Sequence, residues 1–127
     1  MIEQIKTFET NAVALEVIGG FSETDEKFAQ KLIQEKLDAG FDIVNILVKV
    51  DEYKIMNTEA KAIFEDLSFL FKKIKNIGNI AIVTHSKVLK VLVSIDNVIY
   101  KSIKNGKSEK YFDVEQLDEA LEFISKD

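Results

Sequence analysis

The sequence predicts a single α/β domain with a mostly parallel, mixed sheet of about five strands and four helices, in the order β-β-α-β-α-β-α-β-α. Two nearly continuous β-branched runs, at 42–50 and 79–84, are typical of strands covered on both faces. Between them, residues 58–76 carry apolar side chains at helical spacing. Because strands and helices alternate, parallel pairing through right-handed crossovers is expected. No linker, repeat or low-complexity tract interrupts residues 1–127, so they are expected to form one domain.

The first third of the chain predicts an antiparallel strand pair followed by a helix. Residues 2–7 predict a short edge strand, and residues 12–18 predict its neighbour. Ser22 is a suitable N-cap, and Gly40 stands where a helix often ends in the left-handed conformation. The helix between them is expected to bury Phe28, Leu32, Ile33 and Leu37.

The rest of the chain predicts three more helices and three strands. The helix at 58–76 carries the clearest stripe, and Asn76 and Gly78 are expected to end it. After the strand at 79–84, a helix is expected from Ser86 to about residue 100, then a polar joint at 104–107 and a strand at 108–112. Asp113 is expected to cap the last helix, with Gln116 completing a capping box. The stripe of the 58–76 helix consists of Ala60, Ile63, Phe64, Leu67, Leu70, Phe71 and Ile74.

Composition argues against several classes of protein. The chain has no cysteine, which excludes disulfides and thiolate metal sites. Its net charge is −5 and all 17 basic residues are lysines, so nucleic acid is not expected as the main partner. No signal peptide is visible, and the apolar stretch 88–99 is too short and too polar to span a bilayer. We therefore expect a cytoplasmic protein without a transmembrane segment, a metal or another cofactor.

Several segments carry a resemblance to a known family. They are Met-Ile-Glu-Gln-Ile at 1–5, the strand from Asn11 to Gly19, Ile-Ala-Ile-Val-Thr at 80–84 before a capped helix, and Tyr-Phe-Asp-Val-Glu-Gln-Leu-Asp-Glu-Ala at 111–120. Over essentially the whole chain, the sequence resembles the STAS fold, and most closely its bacterial SpoIIAA-like branch, which is related to the Sec14 (CRAL-TRIO) lipid-binding fold. The resemblance implies a non-enzymatic regulatory module that binds proteins.

The resemblance also implies a position for a regulatory phosphate. In STAS antagonists, a partner kinase phosphorylates a serine in an Asp-Ser-Ser-Gly pattern at the start of the second helix. That pattern falls on Asn57-Thr58-Glu59-Ala60, so Thr58 would be the acceptor in place of the first serine, although the other three residues of the pattern also differ. Alternatively, Asn57 or Thr58 serves only as the N-cap of the helix.

A second candidate site lies where two predicted strands end. His85, the only histidine, follows the strand at 79–84, while Asp51, Glu52 and Tyr53 follow the neighbouring strand. Ligands of open α/β sheets bind beyond the carboxyl ends of strands, so these side chains could form a pocket or a small hydrolytic site. The alternative is that His85 is an exposed loop residue.

The predicted helix at 86–100 has more apolar residues than one face can bury. A second copy of the chain, a protein partner, an apolar ligand or the chain itself could cover the excess. Phe69 on the preceding helix either packs in the core or extends the same surface. An apolar ligand, as in Sec14-like carriers, would need a cavity lined by residues such as Val88, Leu92, Phe64 and Phe69. The side chains expected on the partner or ligand surface are Val88, Val91, Leu92, Ile95, Val98 and Phe69.

Overall fold

A computed structural model of the chain describes residues 1–50, 57–74, 76–85 and 109–125. The predicted helix at 86–100 and the joint at 104–107 lie outside the described residues. The elements are β1 (Ile2–Thr7), β2 (Ala12–Val17), α1 (Glu23–Asp38), β3 (Val44–Val50), α2 (Asn57–Lys73), β4 (Ile77–Thr84), β5 (Glu109–Asp113), a 3-10 turn (Val114–Gln116) and α3 (Leu117–Ser125).

The strands form one five-stranded sheet in the order β1-β2-β3-β4-β5. β1 pairs with β2 in antiparallel orientation, and the other three pairings are parallel. The predicted mixed, mostly parallel sheet is therefore confirmed. Since β2, β3 and β4 follow one another across the sheet in one direction, right-handed crossovers place α1 and α2 on the same face.

The face beneath α1 and α2 holds the larger core. Branched side chains of β2, β3 and β4 meet the inner sides of the two helices there. One row across the sheet runs through Leu15, Val48, Ile82 and Tyr111. The helical residues buried against the sheet are Ala29, Ile33, Ile63, Phe64, Leu67, Leu70 and Phe71.

The opposite face is covered by α3, among the described elements. The side chains of β2 and β4 in this second core are small or of moderate size, namely Ala12, Ala14, Ala81 and Val83, and Ala120 of α3 is fully buried in the same cluster. Small residues on both surfaces allow the helix to lie close to the sheet. β3 and β4 are thus buried on both sides, as their continuous apolar character predicted.

Asn45 occupies a buried position in β3 under the end of α3. Its Nδ2 donates to the Ile124 carbonyl at 3.0 Å, and its Oδ1 accepts from the Asn79 backbone amide at 2.8 Å. The register between β3 and β4 shifts here, so two residues of β4, Gly78 and Asn79, stand opposite one residue of β3. The Asn45 side chain therefore gives an acceptor to the backbone amide that the bulge leaves unpaired, and a donor to a carbonyl in the last turn of α3.

Two expectations about individual residues need correction. Gly78 does not end α2, which stops at Lys73; it belongs to β4, where its missing side chain makes room for Asn45 and Ile43. Phe28 is 37% exposed, because Ala29 faces the sheet instead. The capping predictions are confirmed: Ser22 caps α1, Gly40 follows its C-cap with φ at +106°, and Asp113 with Gln116 forms a capping box.

Gly78→Ala should lower the free energy of unfolding by about 2 kcal/mol, the usual range for overpacking. The added Cβ would overlap Asn45 Oδ1 and Ile43 Cγ2 and disturb the bulge. Urea denaturation measures the change. Gly20→Ala is the matched control, since a Cβ there meets no atom within 4 Å and should leave stability equal or raise it by up to about 1 kcal/mol. Equal stability of the two variants would contradict this packing.

Candidate functional site

The carboxyl end of the sheet brings together the ends of β3 and β4. Thr84 is fully buried, and its Oγ1 donates to the Val50 carbonyl at 2.9 Å, which joins the two strand ends. His85 follows directly and is half-buried. Its predicted companions Asp51, Glu52 and Tyr53 lie outside the described residues, so the strand-end pocket stays a prediction. Among the described residues, no group of three or more metal-ligating side chains is present.

Asn57 and Thr58 are the first two residues of α2, which begins one residue earlier than predicted. Because α2 follows β3, this end of the helix lies at the carboxyl edge of the sheet. A phosphate on Thr58 would therefore sit in the first turn of a 17-residue helix, as the family pattern implied. Phosphorylation itself stays a prediction.

Phe69 is 63% exposed, which contradicts its packing in the core. It lies two residues after buried Leu67, a rotation of about 200° on a helix with 3.6 residues per turn. Phe64 is 0% exposed and lies on the inner side of α2. Phe64 and Phe69 thus lie on different sides of α2, and binding of an apolar ligand stays a prediction. Val88, Val91, Leu92, Ile95 and Val98 lie outside the described residues.

A groove of about 670 Å³ opens between α1 and α2, with Phe69 on its α2 side. Phe21, half-buried just before α1, supplies a second aromatic surface. Sequence analysis missed this groove, because the acidic first turn of α1 is explained by the helix dipole alone. The sequence feature that pointed to the groove was the position of Phe69, which lies off the apolar stripe of α2. The groove is lined by Phe21, Ser22, Glu23, Glu26, Lys27, Gln30, Asp66 and Phe69.

Several polar groups of the groove already serve the helix start. Ser22 and Asp25 form a capping box, in which the Ser22 backbone amide and hydroxyl donate to Asp25 Oδ2 at 2.9 and 3.0 Å. Lys27 Nζ lies 3.6 Å from Glu23 Oε1 in an exposed i,i+4 pair. Among the charged side chains lining the groove, Glu26 and Asp66 are thus the carboxylates left over after this pairing.

The amino terminus is bound beside this helix start. The Met1 ammonium donates to the carbonyls of Ile18 and Gly20, both at 2.9 Å, and lies 3.2 Å from Asp25 Oδ2. Burial raises the pKa of the Asp25 carboxyl. Hydrogen bonds from Ser22 and the nearby Met1 ammonium together lower the pKa by more than burial raises it, so the net shift is downward. Asp25 therefore stays ionised and holds α1 to the start of the chain.

A smaller groove of about 280 Å³ lies between α1 and the β1–β2 connection. Its Lys36 Nζ donates to the carbonyls of Phe8 and Thr10, both at 2.6 Å, and lies 5.8 Å from the centre of the Phe41 ring. The lysine is committed to holding the β1–β2 turn against the helix. We assign this groove a structural role.

A protein-family model described as SpoIIAA-like matches residues 12–125. The chain belongs to the SpoIIAA-like family. The observed α/β architecture with its five-stranded sheet agrees with the STAS fold that the resemblance implied. No significant match to a curated protein or to a solved structure was found. Within the described part of this SpoIIAA-like chain, no helix is long and apolar enough to cross a membrane.

Asp25→Asn should lower the free energy of unfolding at pH 7 by about 1–2 kcal/mol, because it weakens charge-assisted hydrogen bonds. Since folding lowers the pKa of Asp25, the wild-type advantage should be complete above the unfolded pKa of about 3.9 and fade as the pH falls through the folded value. Urea denaturation at several values between about pH 7 and about pH 3 measures the loss of stability and its dependence on pH.

Glu23→Gln is the control for this change, because its carboxylate belongs to an exposed pair and should contribute less than about 0.5 kcal/mol. A stability difference between wild type and Asp25→Asn that is the same at both ends of the pH range would show that the carboxylate charge is unimportant.

Proposed function

We propose that this SpoIIAA-like domain is a non-enzymatic regulatory module that acts by binding another protein, and that the groove between α1 and α2 contacts the partner. The exposed Phe69 carries the proposal. Aromatic side chains, phenylalanine among them, are enriched in the buried cores of protein interfaces. Phe69 is the most exposed large apolar side chain among the described residues.

The arrangement of the core supports this location. The inner sides of α1 and α2 are used to cover one face of the sheet, and α3 lies on the other. Burial of Ile63, Phe64 and Leu67 explains the apolar residues on the inner side of α2, whereas Phe69 places an aromatic ring, 63% exposed, on the outer side. A ring in this position is suited to anchoring a partner.

The polar groups at the groove support binding more than catalysis. Ser22 is engaged with Asp25, and Glu23 with Lys27. The Ser22 hydroxyl donates to the Asp25 carboxylate, whose lowered pKa makes it a weak base, so the pair suits a helix cap better than an activated serine nucleophile. These groups shape the groove and give it charge.

Regulation through Thr58 fits the same surface. Eleven residues separate Thr58 from Phe69, which corresponds to about 16 Å along the axis of α2. A partner laid along this helix could contact both positions. A phosphate at Thr58 would add about two negative charges at one end of the contact and so change the affinity.

Phe69→Ser should weaken partner binding while leaving the domain stable, because the ring is mostly exposed. We expect at least a tenfold loss of affinity, which corresponds to about 1.4 kcal/mol, and a stability change within about 0.5 kcal/mol. The measurement is affinity purification of the tagged full chain from its native cells, followed by titration of each co-purified protein against the purified chain.

Phe28→Ser is the matched control, since Phe28 is an exposed phenylalanine on α1 that does not line the groove. Proteins captured by wild type and by Phe28→Ser, but lost with Phe69→Ser, support the proposal. Capture of the same proteins with equal affinity by all three chains would refute it.

A further inference from the structure

We infer that the occupant of the groove is a basic segment of a protein partner, which places an apolar side chain on Phe69 and lysine or arginine side chains on Glu26 and Asp66. The inference rests on the proposed function and specifies the chemistry of the partner. It follows from the charges at the groove, from the state of the α1 N-terminus and from the charge of the whole chain.

The described lining of the groove carries three carboxylates and one ammonium. The pair between Glu23 and Lys27 removes one of each. Glu26 and Asp66 remain, on opposite helices, so the acidic excess flanks the groove from both sides. The α1 dipole contributes only about half a positive charge and does not cancel two carboxylates. A cationic segment is the complementary ligand.

A second copy of this chain fits the groove poorly. A two-fold symmetric contact uses the same patch on both copies, so two patches with an acidic excess would meet. Each chain also carries a net charge of −5, which adds longer-range repulsion. The same acidic rim disfavours an anionic membrane surface.

A free anion is also disfavoured, although the groove includes the start of α1. Helix N-termini bind anions through unpaired amides and the positive end of the dipole. Here the Asp25 amide donates to Ser22 Oγ at 3.2 Å, and the Asp25 carboxylate already occupies the end of the helix. Two of the backbone amides at this helix start are therefore already bound within the chain, and the negative charge of Asp25 lies beside them.

Two synthetic peptides test the inference on the full-length chain. Both have leucine at helical i, i+3, i+4 and i+7 spacing over about 14 residues. In one peptide all remaining positions are lysine, and in the other they are glutamate. Binding is located by amide chemical shifts in NMR spectra and quantified by titration. We expect the lysine peptide to shift the amides of Phe21, Gln30 and Phe69 and to bind at least tenfold more tightly than the glutamate peptide.

Charge and salt separate this result from unspecific adhesion. The double variant Glu26→Gln/Asp66→Asn should lower the affinity for the lysine peptide about tenfold, as expected for the loss of two surface charge pairs. Glu3→Gln/Glu35→Gln is the control, because it removes the same charge from residues outside the groove and should change binding less than about twofold. Raising ionic strength from about 0.1 M to 1 M should weaken binding to the wild type, since the Debye length falls from about 10 to 3 Å.

The other outcomes distinguish this inference from the proposed function. Equal binding of both peptides at the groove would overturn the charge inference and leave the docking site intact. Binding of the lysine peptide outside the groove, unchanged by Phe69→Ser and by the charge variants, would overturn the inference. The proposed function would then be decided by the capture experiment with Phe69→Ser. If the chain forms a dimer at increasing concentration, and the dimer slows hydrogen exchange of the Phe69 amide, the groove is instead occupied by a second copy.

Discussion

The hydrogen bonds of the Asn45 side chain hold together three parts of this fold. A buried amide must find partners on both of its polar atoms, and Asn45 finds them in the bulge of β4 and the last turn of α3. The bulge depends on Gly78, because any larger residue would occupy the space of the amide. The position of α3 over the alanines of β2 and β4 is therefore fixed by polar contacts at its end as well as by apolar contacts along its length.

Covering both faces of the sheet limits where recognition can take place. With α1 and α2 on one face and α3 on the other, the described sheet offers its edges and strand ends, and the helices offer their outer surfaces. The start of α1 is fixed by Ser22, Asp25 and the bound amino terminus. The groove beside Phe69 is therefore built on a rigid helix start and on a helix anchored by its buried stripe, which favours a preformed binding surface.

Much of the fold could be predicted because local signals and tertiary packing agree. The continuous β-branched character of β3 and β4, the stripe of α2, and the caps at Ser22 and Asp113 each had one reasonable interpretation. Gly78 was misinterpreted, since a glycine after a helix looks the same whether it ends that helix or makes space in the next strand. The groove was missed because it depends on the spacing between two helices, which is set by side chains distant in sequence. The positions of His85 after β4 and of Thr58 at the start of α2 could be predicted, but their roles stay predictions, because chemistry depends on neighbours that a linear pattern does not specify.

The most direct test of recognition on the outer helix surface is site-specific photo-cross-linking in the native cells. A photoreactive phenylalanine analogue is placed in turn at Phe69 and Gln30, which line the groove, and at Glu3 and His85, which do not. We predict that the same protein is cross-linked from both groove positions and from neither of the others. Cross-linking of a partner from His85, with none from Phe69 or Gln30, would contradict it and move recognition to the strand ends.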